Sequence, residues 1–383
     1  MKFAHMGDCH LGGWKQPALK ELNLLSFRKA VDICIKENVE FILITGDLFD
    51  SPYPSIDTLK EVFQEFKMIN DKKIPVFLIA GSHDYSVSGK TFLEVLEKAG
   101  FCRNVALYEE KNDKLYLLPT VWQNVALYGY PGKKGGLEVA EIERLALQDS
   151  PGLFKILMLH TTLKDAIGFL PVKAVDQDKL PKVDYLALSH LHINYQKQNR
   201  AYSGPTFPNN LQELEELKGG SFYIFDNGKL KREEIRLKEI FSLNFEVKDA
   251  FTAADSILSA LSEQDLKNKV VILKLYGILK KGRISDIEFS KIEEFVRKKE
   301  AFVFLKTSSR LHMPELDIGV EITDTVNLEE QIIKKFEEKH PSKYNSGMAE
   351  LIKILQSEKL DDEKSAIFDE RILSDAKKVL ALA

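Results

Sequence analysis

The sequence predicts an α/β protein that is followed by a small α+β unit and a C-terminal helical segment. Two near-continuous apolar runs, residues 41–45 and 75–80, are typical of strands that are buried on both faces. Between them, residues 55–70 carry apolar side chains at helical spacing, which indicates an amphipathic helix. A helix between two buried strands indicates a βαβ unit and therefore a parallel sheet.

The alternation of strands with other segments continues to about residue 238. Lys2 to Met6 precedes the first run as a short strand, and Asn227-Gly228 is typical of a tight turn between two strands. Further strands are predicted at residues 116–118, 125–128, 154–159, 185–188 and 222–225. We therefore predict one large α/β domain over residues 1–238.

The pattern restarts after residue 238 and forms a second unit. Strands are predicted at residues 241–247, 270–276 and 302–306, with helices at residues 253–262 and 286–299 between them. A βαβαβ unit of this length forms a small α+β domain, which we place at residues 239–313.

The composition changes again after Pro314, and residues 314–383 are predicted to form three short helices. Their apolar stripes are Leu328, Ile332, Ile333 and Phe336, then Met348, Leu351, Ile352 and Leu355, then Phe368, Ile372, Ala376, Val379 and Leu380. Three short helices cannot bury much apolar surface alone, so they either pack on the body or dock on a partner.

The bulk composition is that of an ordinary globular protein, with 383 residues, 44% hydrophobic and 29% charged. No apolar stretch approaches the ~20 residues that span a bilayer, and the N-terminus lacks a secretory signal, so we expect a cytoplasmic protein without a membrane partner. Three scattered cysteines fit a reducing compartment. The net charge of -4 does not by itself favour a nucleic-acid partner, because duplex-binding proteins usually carry a basic surface.

Five of the eight histidines directly follow predicted strands, most of them beside a carboxylate. The segments are Asp8-Cys9-His10, Gly46-Asp47, Ser82-His83-Asp84, His160 and His190-Leu191-His192. Ligands of open α/β sheets bind outside the carboxyl ends of the strands, so these side chains are predicted to meet at one edge. In an extended chain alternate side chains face the same way, so Asp8 is predicted to point with His10, and His190 with His192.

Imidazoles and carboxylates with open positions favour Mn, Fe or Zn over an all-oxygen Ca site. Two metals ~3.5–4 Å apart that share one carboxylate could generate a hydroxide and bind a phosphate for in-line attack. One histidine or aspartate at a strand end is more often a cap or a solvated group, but five such sites are hard to explain that way. His5, His312 and His340 do not lie in such strand-end segments and are predicted to be structural or surface residues. Cys9 is predicted to point away from the metals.

The order D-x-H, G-D, G-N-H-[DE], H and G-H-x-H resembles that of the calcineurin-like metallophosphoesterases. Asp8-Cys9-His10-Leu11-Gly12 and Gly46-Asp47-Leu48-Phe49-Asp50 resemble more narrowly the nuclease subunit of the DNA double-strand-break repair complex, the SbcD or meiotic-recombination (Mre) nuclease family. Tyr202-Ser203-Gly204-Pro205 stands where that family has Y-P-G-S. The resemblance implies a two-sheet metallophosphoesterase sandwich flanked by helices, with residues 239–313 as a DNA-capping domain.

The resemblance also implies two Mn²⁺ ions per subunit, with Mg²⁺ or another divalent cation as the alternative. The first metal would be held by Asp8, His10, Asp47 and His192, and the second by the bridging Asp47 with Ser82, His160 and His190. His83 would contact the scissile phosphate, stabilise charge in the transition state and protonate the leaving oxygen.

Two positions depart from the family pattern. Ser82 replaces an asparagine ligand, and its hydroxyl is a shorter and poorer ligand than an amide carbonyl. Ser189 replaces the glycine before His190 and adds a side chain where the backbone runs close to the metals. We therefore expect an active enzyme whose second metal binds weakly or through water.

By resemblance, the chain is expected to be a Mn-dependent DNA nuclease, with 3′–5′ double-strand exonuclease and single-strand endonuclease activity in double-strand-break repair. The expected partners are an SMC-like ABC ATPase of the SbcC or Rad-fifty type, docked on the C-terminal helices, and a second copy of the chain, docked through helices near residues 55–70 and 91–99. Without the resemblance, the residues alone favour the alternative that the apolar faces of these two helices only cover the sheet. Candidate phosphate contacts are Lys133, Lys134, Lys280, Lys281 and Arg283, although such groups are more often solvated turns.

Two alternatives remain open. The chain could be a small-molecule phosphodiesterase or nucleotide pyrophosphatase, although the 145 residues after residue 238 argue against it because such enzymes often lack appended domains. It could also be chiefly a scaffold for the ATPase, with catalysis impaired by Ser82.

Overall fold

The computed structural model describes residues 1–86, 89–168, 172–313, 338, 342, 344–357 and 365–380. The chain divides into two compact units, Met1–His312 and Met313–Ala383. The first unit contains every residue that the sequence predicts for the metal site.

The secondary structure of the described residues follows the predicted alternation. Its strands are β1 (Lys2–Met6), β2 (Phe41–Ile44), β3 (Val76–Leu78), β4 (Arg103–Asn104), β5 (Tyr108–Lys111), β6 (Lys114–Leu117), β7 (Thr120–Trp122), β8 (Val125–Tyr130), β9 (Leu145–Leu147), β10 (Phe154–His160), β11 (Tyr185–Ser189), β12 (Tyr195–Lys197), β13 (Arg200–Tyr202), β14 (Gly220–Asp226), β15 (Lys229–Ile235), β16 (Ile240–Glu246), β17 (Val270–Ile278) and β18 (Val303–His312). Its α-helices are α1 (Pro17–Lys36), α2 (Ile56–Asp71), α3 (Leu93–Lys98), α4 (Glu138–Ile142), α5 (Lys164–Ile167), α6 (Leu211–Leu217), α7 (Ala250–Ser262), α8 (Phe289–Lys298), α9 (Met348–Leu355) and α10 (Ser365–Val379).

Two six-stranded sheets form the body of the first unit. The first has the order β15-β14-β1-β2-β3-β4 and the second β12-β13-β11-β10-β8-β7. Strands β1 to β4 are parallel, and β8, β10, β11 and β13 are parallel in the second sheet. Side chains from both sheets share one buried cluster, which includes Phe3, Phe41, Leu43, Leu127, Ile156 and Met158. The predicted two-sheet sandwich is therefore confirmed.

Helices α1 and α2 cover the outer face of the first sheet, where Phe27 and Phe66 join the cluster that contains Ile42 and Ile44. Helix α1 begins at Pro17, which fits the first turn because its missing N–H would be unpaired there anyway. Helix α2 begins after Ser55, whose side chain accepts a hydrogen bond from the Thr58 N–H. The buried stripe of α2 faces the sheet, as its helical spacing predicts, whereas α1 is a helix that the sequence analysis did not predict.

Strands β16, β17 and β18 form a separate parallel sheet within the first compact unit, in the segment for which the sequence predicts a small α+β domain. Helices α7 and α8 pack on one face of this sheet. On the other face, Val270, Ile272 and Val303 pack against Leu22 and Phe207 of the large domain. The first halves of these strands thus attach the small domain to the sandwich through an apolar contact.

Two local differences from the prediction concern helix ends and turns. The helix predicted at 286–299 is a 3-10 turn, Ile284–Asp286, followed by α8, because the backbone of Ile287 is extended (ψ 120°). Asn227 and Gly228 have positive φ values of 47° and 89° between β14 and β15, which confirms the tight turn.

The C-terminal unit contains α9 and α10, which confirms the second and third predicted helices. The first predicted helix, marked by Leu328 to Phe336, lies outside the described residues, as does His340. Among the helices that the structure describes, none has the length and apolar character needed to cross a membrane.

Candidate metal centre

The loops after five strands converge at the carboxyl edges of the two sheets. From the first sheet, β1 is followed by Asp8 and His10, β2 by Asp47, and β3 by Ser82 and His83. From the second sheet, β10 ends at His160, and β11 is followed by His190 and His192. The site therefore draws its side chains from both layers of the sandwich, and the structure brings all the predicted metal ligands to this edge.

One half of the cluster consists of Asp8, His10 and His192, whose ligand atoms all lie within 4.8 Å of one another. The Nε2 atoms of His10 and His192 are 3.0 Å apart. Two imidazole lone pairs at this distance repel each other unless a proton or a cation lies between them. These three side chains could therefore hold one cation.

The other half is built around Asp47 and His160, which lie within 4.8 Å of Asp8. His160 Nε2 is 3.2 Å from Asp47 Oδ2 and 3.2 Å from His190 Nδ1. Asp47 Oδ2 is also 3.7 Å from His10 Nε2. This carboxylate oxygen thus lies between the two imidazole pairs, as a ligand shared by two cations must.

Ser82 lies beside the shared carboxylate. Its hydroxyl donates to Asp47 Oδ2 at 3.4 Å, a long hydrogen bond. The next residue donates its main-chain N–H to the other oxygen of the same carboxylate, at 2.7 Å from His83 N to Asp47 Oδ1. The serine is therefore close to the site, with a side chain shorter than the amide that the family pattern has there.

The backbone reaches the site through left-handed turns. The φ values are 49° at Asp8, 44° at His10, 50° at Asp47 and 96° at His190. We predicted that Asp8 points with His10, and His190 with His192, on the assumption that the backbone is extended at these positions. That assumption is wrong, although the side chains do meet at the site. Non-glycine residues with positive φ cost roughly 1–2 kcal/mol each, and such residues cluster at functional sites. Main-chain bonds from Asp8 N to Gly46 O (3.0 Å) and from His10 N to Asp47 O (2.9 Å) hold these turns.

The electrostatics of the cluster reflect its burial and its crowded charges. Burial lowers the pKa of His160, but the carboxylates of Asp47 and Asp8 outweigh it and raise the pKa to about 9. Burial, aided by the charge of His160, lowers the pKa of His190 to about 4. Burial also raises the pKa of Asp8, against the opposing effect of the nearby histidines. Imidazoles and carboxylates in this arrangement suit divalent transition-metal ions, so the donor set fits two such cations.

Two carboxylates that the sequence analysis did not assign orient the histidines from outside. Glu213 Oε1 accepts a hydrogen bond from His192 Nδ1 at 2.9 Å, and Asp50 Oδ1 accepts one from His10 Nδ1 at 3.1 Å. Because a carboxylate only accepts, each Nδ1 carries the proton and each Nε2 is left to face the cluster. Asp50 belongs to a motif that the sequence shows, but Glu213 follows His192 by 21 residues on α6 and has no local signal.

A third unassigned carboxylate connects two of the loops. Asp84 is buried and accepts hydrogen bonds from Phe49 N at 3.0 Å and from Gly81 N at 2.8 Å. It thereby links the loop that carries Asp47 with the loop that carries His83. The burial of Asp84, together with the charge of Asp47, raises the pKa of Asp84 to about 7.

His83 lies at the open edge of the cluster with 46% of its side chain exposed. Its Nδ1–H donates to the main-chain oxygen of Asp50 at 2.9 Å, which leaves Nε2 free of that contact. Its ring centre is 4.8 Å from that of His10, with the two rings perpendicular. His83 therefore borders the metal-binding groups and remains accessible from solvent.

Close packing determines the position of the His160 ring. A Cβ atom at Gly46 would overlap His160 Nδ1, and one at Gly132 would overlap His160 Cδ2. Ser189, the second departure from the family pattern, is fully buried and its Oγ lies 2.9 Å from His160 Nδ1. Its side chain therefore contacts a candidate metal ligand directly.

The predicted basic residues lie in two places. Lys133 and Lys134 follow Gly132, and Lys133 forms an ion pair with Glu141 at 2.6 Å. Lys280, Lys281 and Arg283 follow β17 in the small domain. In the part of the chain that the structure describes, none of the five hydrogen-bonds to a predicted metal ligand.

The residues predicted to be structural have ordinary surroundings. His5 is fully buried and hydrogen-bonds to the Tyr185 hydroxyl at 2.8 Å and to Thr45 Oγ1 at 3.2 Å. Cys9 is buried in the core cluster of the first sheet, away from the candidate ligands. His312 is an exposed residue at the end of β18.

Comparison with known proteins agrees with the site. Residues 1–194, about half of the chain, match the sequence model of the calcineurin-like phosphoesterase family. The DNA double-strand break repair protein Mre11 of Archaeoglobus fulgidus is 24% identical over 343 residues, 78% of this chain and 76% of that protein. The protein of the same name in Methanosarcina acetivorans is 23% identical, over 85% of this chain and 53% of that protein. The uncharacterized metallophosphoesterase YhaO of Bacillus subtilis is 27% identical, over 63% of this chain and 61% of that protein.

The chain thus spans about three quarters of the first relative and between half and two thirds of the other two. The family match covers all the strand-end segments that form the cluster. The donor set of the cluster fits the dinuclear metal site of that family. The chain therefore belongs to the calcineurin-like phosphoesterase family and is a metal-dependent hydrolase of phosphoester bonds.

Proposed function

We propose that this chain is a manganese-dependent DNA nuclease that processes DNA ends, with 3′–5′ double-strand exonuclease and single-strand endonuclease activity. The observation that carries the proposal is the position of Asp47 Oδ2, 3.2 Å from His160 Nε2 and 3.7 Å from His10 Nε2, between two imidazole pairs. DNA as substrate is supported by the archaeal relatives named for double-strand break repair and by the small domain that follows the sandwich.

The proposed ligand sets follow from the contacts. Asp8, His10 and His192 hold the first cation, His160, His190 and Ser82 hold the second, and Asp47 is shared. Manganese suits a mixture of imidazole and carboxylate ligands. Ser82 makes only a long hydrogen bond to Asp47. We therefore expect the second cation to bind more weakly than it would if this position were an asparagine.

The roles of the protein's own residues follow from their positions. When bound, two divalent cations supply positive charge for the phosphate and lower the pKa of a water molecule. His83 is at the open edge, where its Nε2 can reach a phosphate oxygen while its Nδ1–H is held by the Asp50 carbonyl. We assign to this Nε2 the stabilisation of developing charge and the transfer of a proton to the leaving oxygen.

Partners are proposed from exposed apolar side chains. Ile56, the first residue of α2, is 72% exposed, Tyr53 in the loop before it is 68% exposed, and Val95 of α3 is also exposed. These side chains support a homodimer through α2 and α3. On the C-terminal unit, Leu355 and Leu373 are exposed, which supports docking of residues 314–383 on an SMC-like ABC ATPase of the SbcC or Rad-fifty type.

The phosphate contacts proposed for Lys133, Lys134, Lys280, Lys281 and Arg283 are supported unequally. Lys133 is already paired with Glu141, and Lys281 lies 3.9 Å from Asp249. Lys134, Lys280 and Arg283 form no side-chain ion pair within the described ranges. We therefore assign phosphate binding first to these last three residues.

The test measures cleavage of labelled duplex and single-stranded DNA with Mn²⁺ or Mg²⁺, beside hydrolysis of an aryl phosphodiester. His83→Ala should abolish cleavage and leave two cations bound per chain, because His83 borders the ligand set without joining it. Loss of metal occupancy in this variant would contradict its assigned role. Hydrolysis of the aryl ester without cleavage of DNA would favour a small-molecule phosphodiesterase. An inactive wild type with activity restored by Ser82→Asn would favour a scaffold whose second metal site is impaired.

A further inference from the structure

A cleft of about 830 Å³ lies between α6 of the large domain and the second halves of β17 and β18. It opens because the contact between the two domains changes from apolar to polar along these strands. The first halves pack through apolar side chains such as Val270 and Ile272. Farther along, Glu215 of α6 binds Lys274 in an ion pair and accepts a hydrogen bond from Ser242 at 2.7 Å. This polar contact closes the base of the cleft.

A β-bulge in β18 determines which side chain of that strand faces the cleft. Lys274 of β17 is paired with Thr307, but Tyr276 is paired with Arg310, so β18 contains one extra residue between the two pairs. Strict alternation would turn Arg310 toward the buried face of the sheet. The bulge instead places Arg310 in the cleft beside Tyr276 and buries Leu311 in the core with α7 and α8. Bulges that redirect a side chain in this way are common next to functional sites.

Tyr276 and Arg310 are both available to a ligand. Tyr276 is 43% exposed, and Arg310 is exposed. Throughout the residues that the structure describes, neither the Tyr276 hydroxyl nor the Arg310 guanidinium has a hydrogen-bond or ion-pair partner. An aromatic face and a free cation thus lie side by side on the sheet wall of the cleft.

The opposite wall is formed by α6, whose polar side chains are partly used within the helix: Asn210 Oδ1 accepts the Glu213 N–H at 2.9 Å, and Gln212 Nε2 donates to Glu216 Oε1 at 2.8 Å. Asn210, Gln212 and Glu216 line this wall. Asn210 also connects the cleft with the metal centre, because its Nδ2 donates to Glu213 Oε1 at 2.5 Å and the same oxygen accepts from His192 Nδ1 at 2.9 Å. One residue therefore separates the cleft from a carboxylate that orients a candidate metal ligand.

We propose that this cleft holds an unpaired nucleotide of the substrate strand next to the scissile bond, an inference that rests on the proposed nuclease function. An exposed tyrosine stacks on a base only when the base has left the duplex. The guanidinium of Arg310 binds the adjoining phosphate. The base edge is bound by the second Nδ2–H of Asn210 and by Oε1 of Gln212, the amide groups that are not used in the contacts with Glu213 and Glu216. The negative charge of Glu216 keeps the phosphate on the sheet wall, so the two walls of the cleft bind different parts of the nucleotide.

The experiment compares the full chain with Tyr276→Ala, Tyr276→Phe and Arg310→Ala. Binding is measured with a cleavage-resistant phosphorothioate oligonucleotide, single-stranded or in a duplex, and the metal centre is followed by aryl phosphodiester hydrolysis. Tyr276→Ala should weaken single-strand binding by about 5- to 150-fold, the usual loss of one stacked base, and Tyr276→Phe should retain binding. Arg310→Ala should weaken binding and reduce the slope of log K against log salt by about 0.7, as expected for one lost phosphate contact.

Arg297→Ala is the matched control, since Arg297 is an exposed cation of α8, on the opposite face of the same sheet. All four variants should hydrolyse the aryl phosphodiester at the wild-type rate. Unchanged single-strand affinity in Tyr276→Ala and Arg310→Ala would overturn the assignment of the cleft, as would an equal loss on single strand and duplex. A wild type that hydrolyses the aryl ester but cleaves no DNA would instead overturn the nuclease function on which the assignment rests.

Discussion

Removing the Glu213 carboxylate should weaken one of the two metal-binding steps and leave the other intact. Glu213 Oε1 accepts the Nδ1–H of His192 at 2.9 Å, and its Oε2 accepts the main-chain N–H of Asn209 at 2.8 Å. The carboxylate is therefore held by the start of α6 and in turn holds the imidazole. With Nδ1 engaged, His192 Nε2 faces His10 Nε2 at 3.0 Å.

The magnitude follows from what each substitution removes. Loss of an outer hydrogen-bond partner of a metal-binding histidine typically costs 10- to 100-fold in metal affinity, about 1.4–2.7 kcal/mol. Glu213→Gln retains one acceptor oxygen of the same reach, so we expect a loss near tenfold. Glu213→Ala leaves the largely buried Nδ1–H without a partner and frees the ring to rotate, so we expect a loss near 100-fold.

Calorimetric titration of the metal-free protein with Mn²⁺ resolves the two steps. Only the step that involves Asp8, His10 and His192 should weaken, because the contacts of His160 with Asp47 and His190 do not include Glu213. Glu216→Gln is the matched control, an exposed glutamate of the same helix. A folded Glu213→Ala protein with two unchanged affinities would refute the reasoning, and so would equal weakening of both steps.

Three further predictions address other positions. Ser82→Asn should raise the occupancy of the second cation, because an amide oxygen reaches farther than the hydroxyl that now contacts Asp47 at 3.4 Å. The occupancy is measured as metal content after dialysis at limiting Mn²⁺, and an unchanged metal content would contradict the prediction. Gly132→Ala should lower phosphodiester hydrolysis by about 100-fold, because a new Cβ would displace the His160 ring, and full activity would show that the packing is not needed. Burial lowers the pKa of His5 to about 3, so the neutral imidazole is favoured in the fold. Its contribution is complete above pH ~6.5 and falls by about 1.4 kcal/mol per pH unit toward pH 3. Urea unfolding at pH 7 and 4.5 should therefore show a smaller acid loss in His5→Phe than in the wild type, and equal losses would contradict the prediction.

The strands and most of the cluster could be predicted because their signals are local. A buried strand shows as an apolar run, and a histidine or aspartate directly after the run marks a strand end, as at Asp47 and His160. The convergence of these ends follows from the rules of parallel sheets. The left-handed turn at Asp8 could not be predicted, because an aspartate gives no sign that tertiary contacts will impose a positive φ.

The outer carboxylates show the limit of sequence patterns. Glu213 reaches His192 only because α6 begins beside the second sheet, and nothing in the spacing of the two residues indicates this contact. The bulge that turns Arg310 into the cleft is similar, since one extra residue in a strand is invisible until the partner strand is placed beside it. Long-range packing determines both features.

Because the predicted metal ligands come from both sheets, metal binding would affect the stability of the whole protein. The His10–His192 and Asp47–His160 contacts each join the first sheet to the second. A cation bound at either place would act as a crosslink between the two layers, and its binding free energy would be added to the cohesion of the sandwich. At a free metal concentration 100 times the dissociation constant, each site adds about 2.7 kcal/mol to the free energy of unfolding. Metal starvation would therefore lower the free energy of unfolding of the enzyme as well as stop its chemistry.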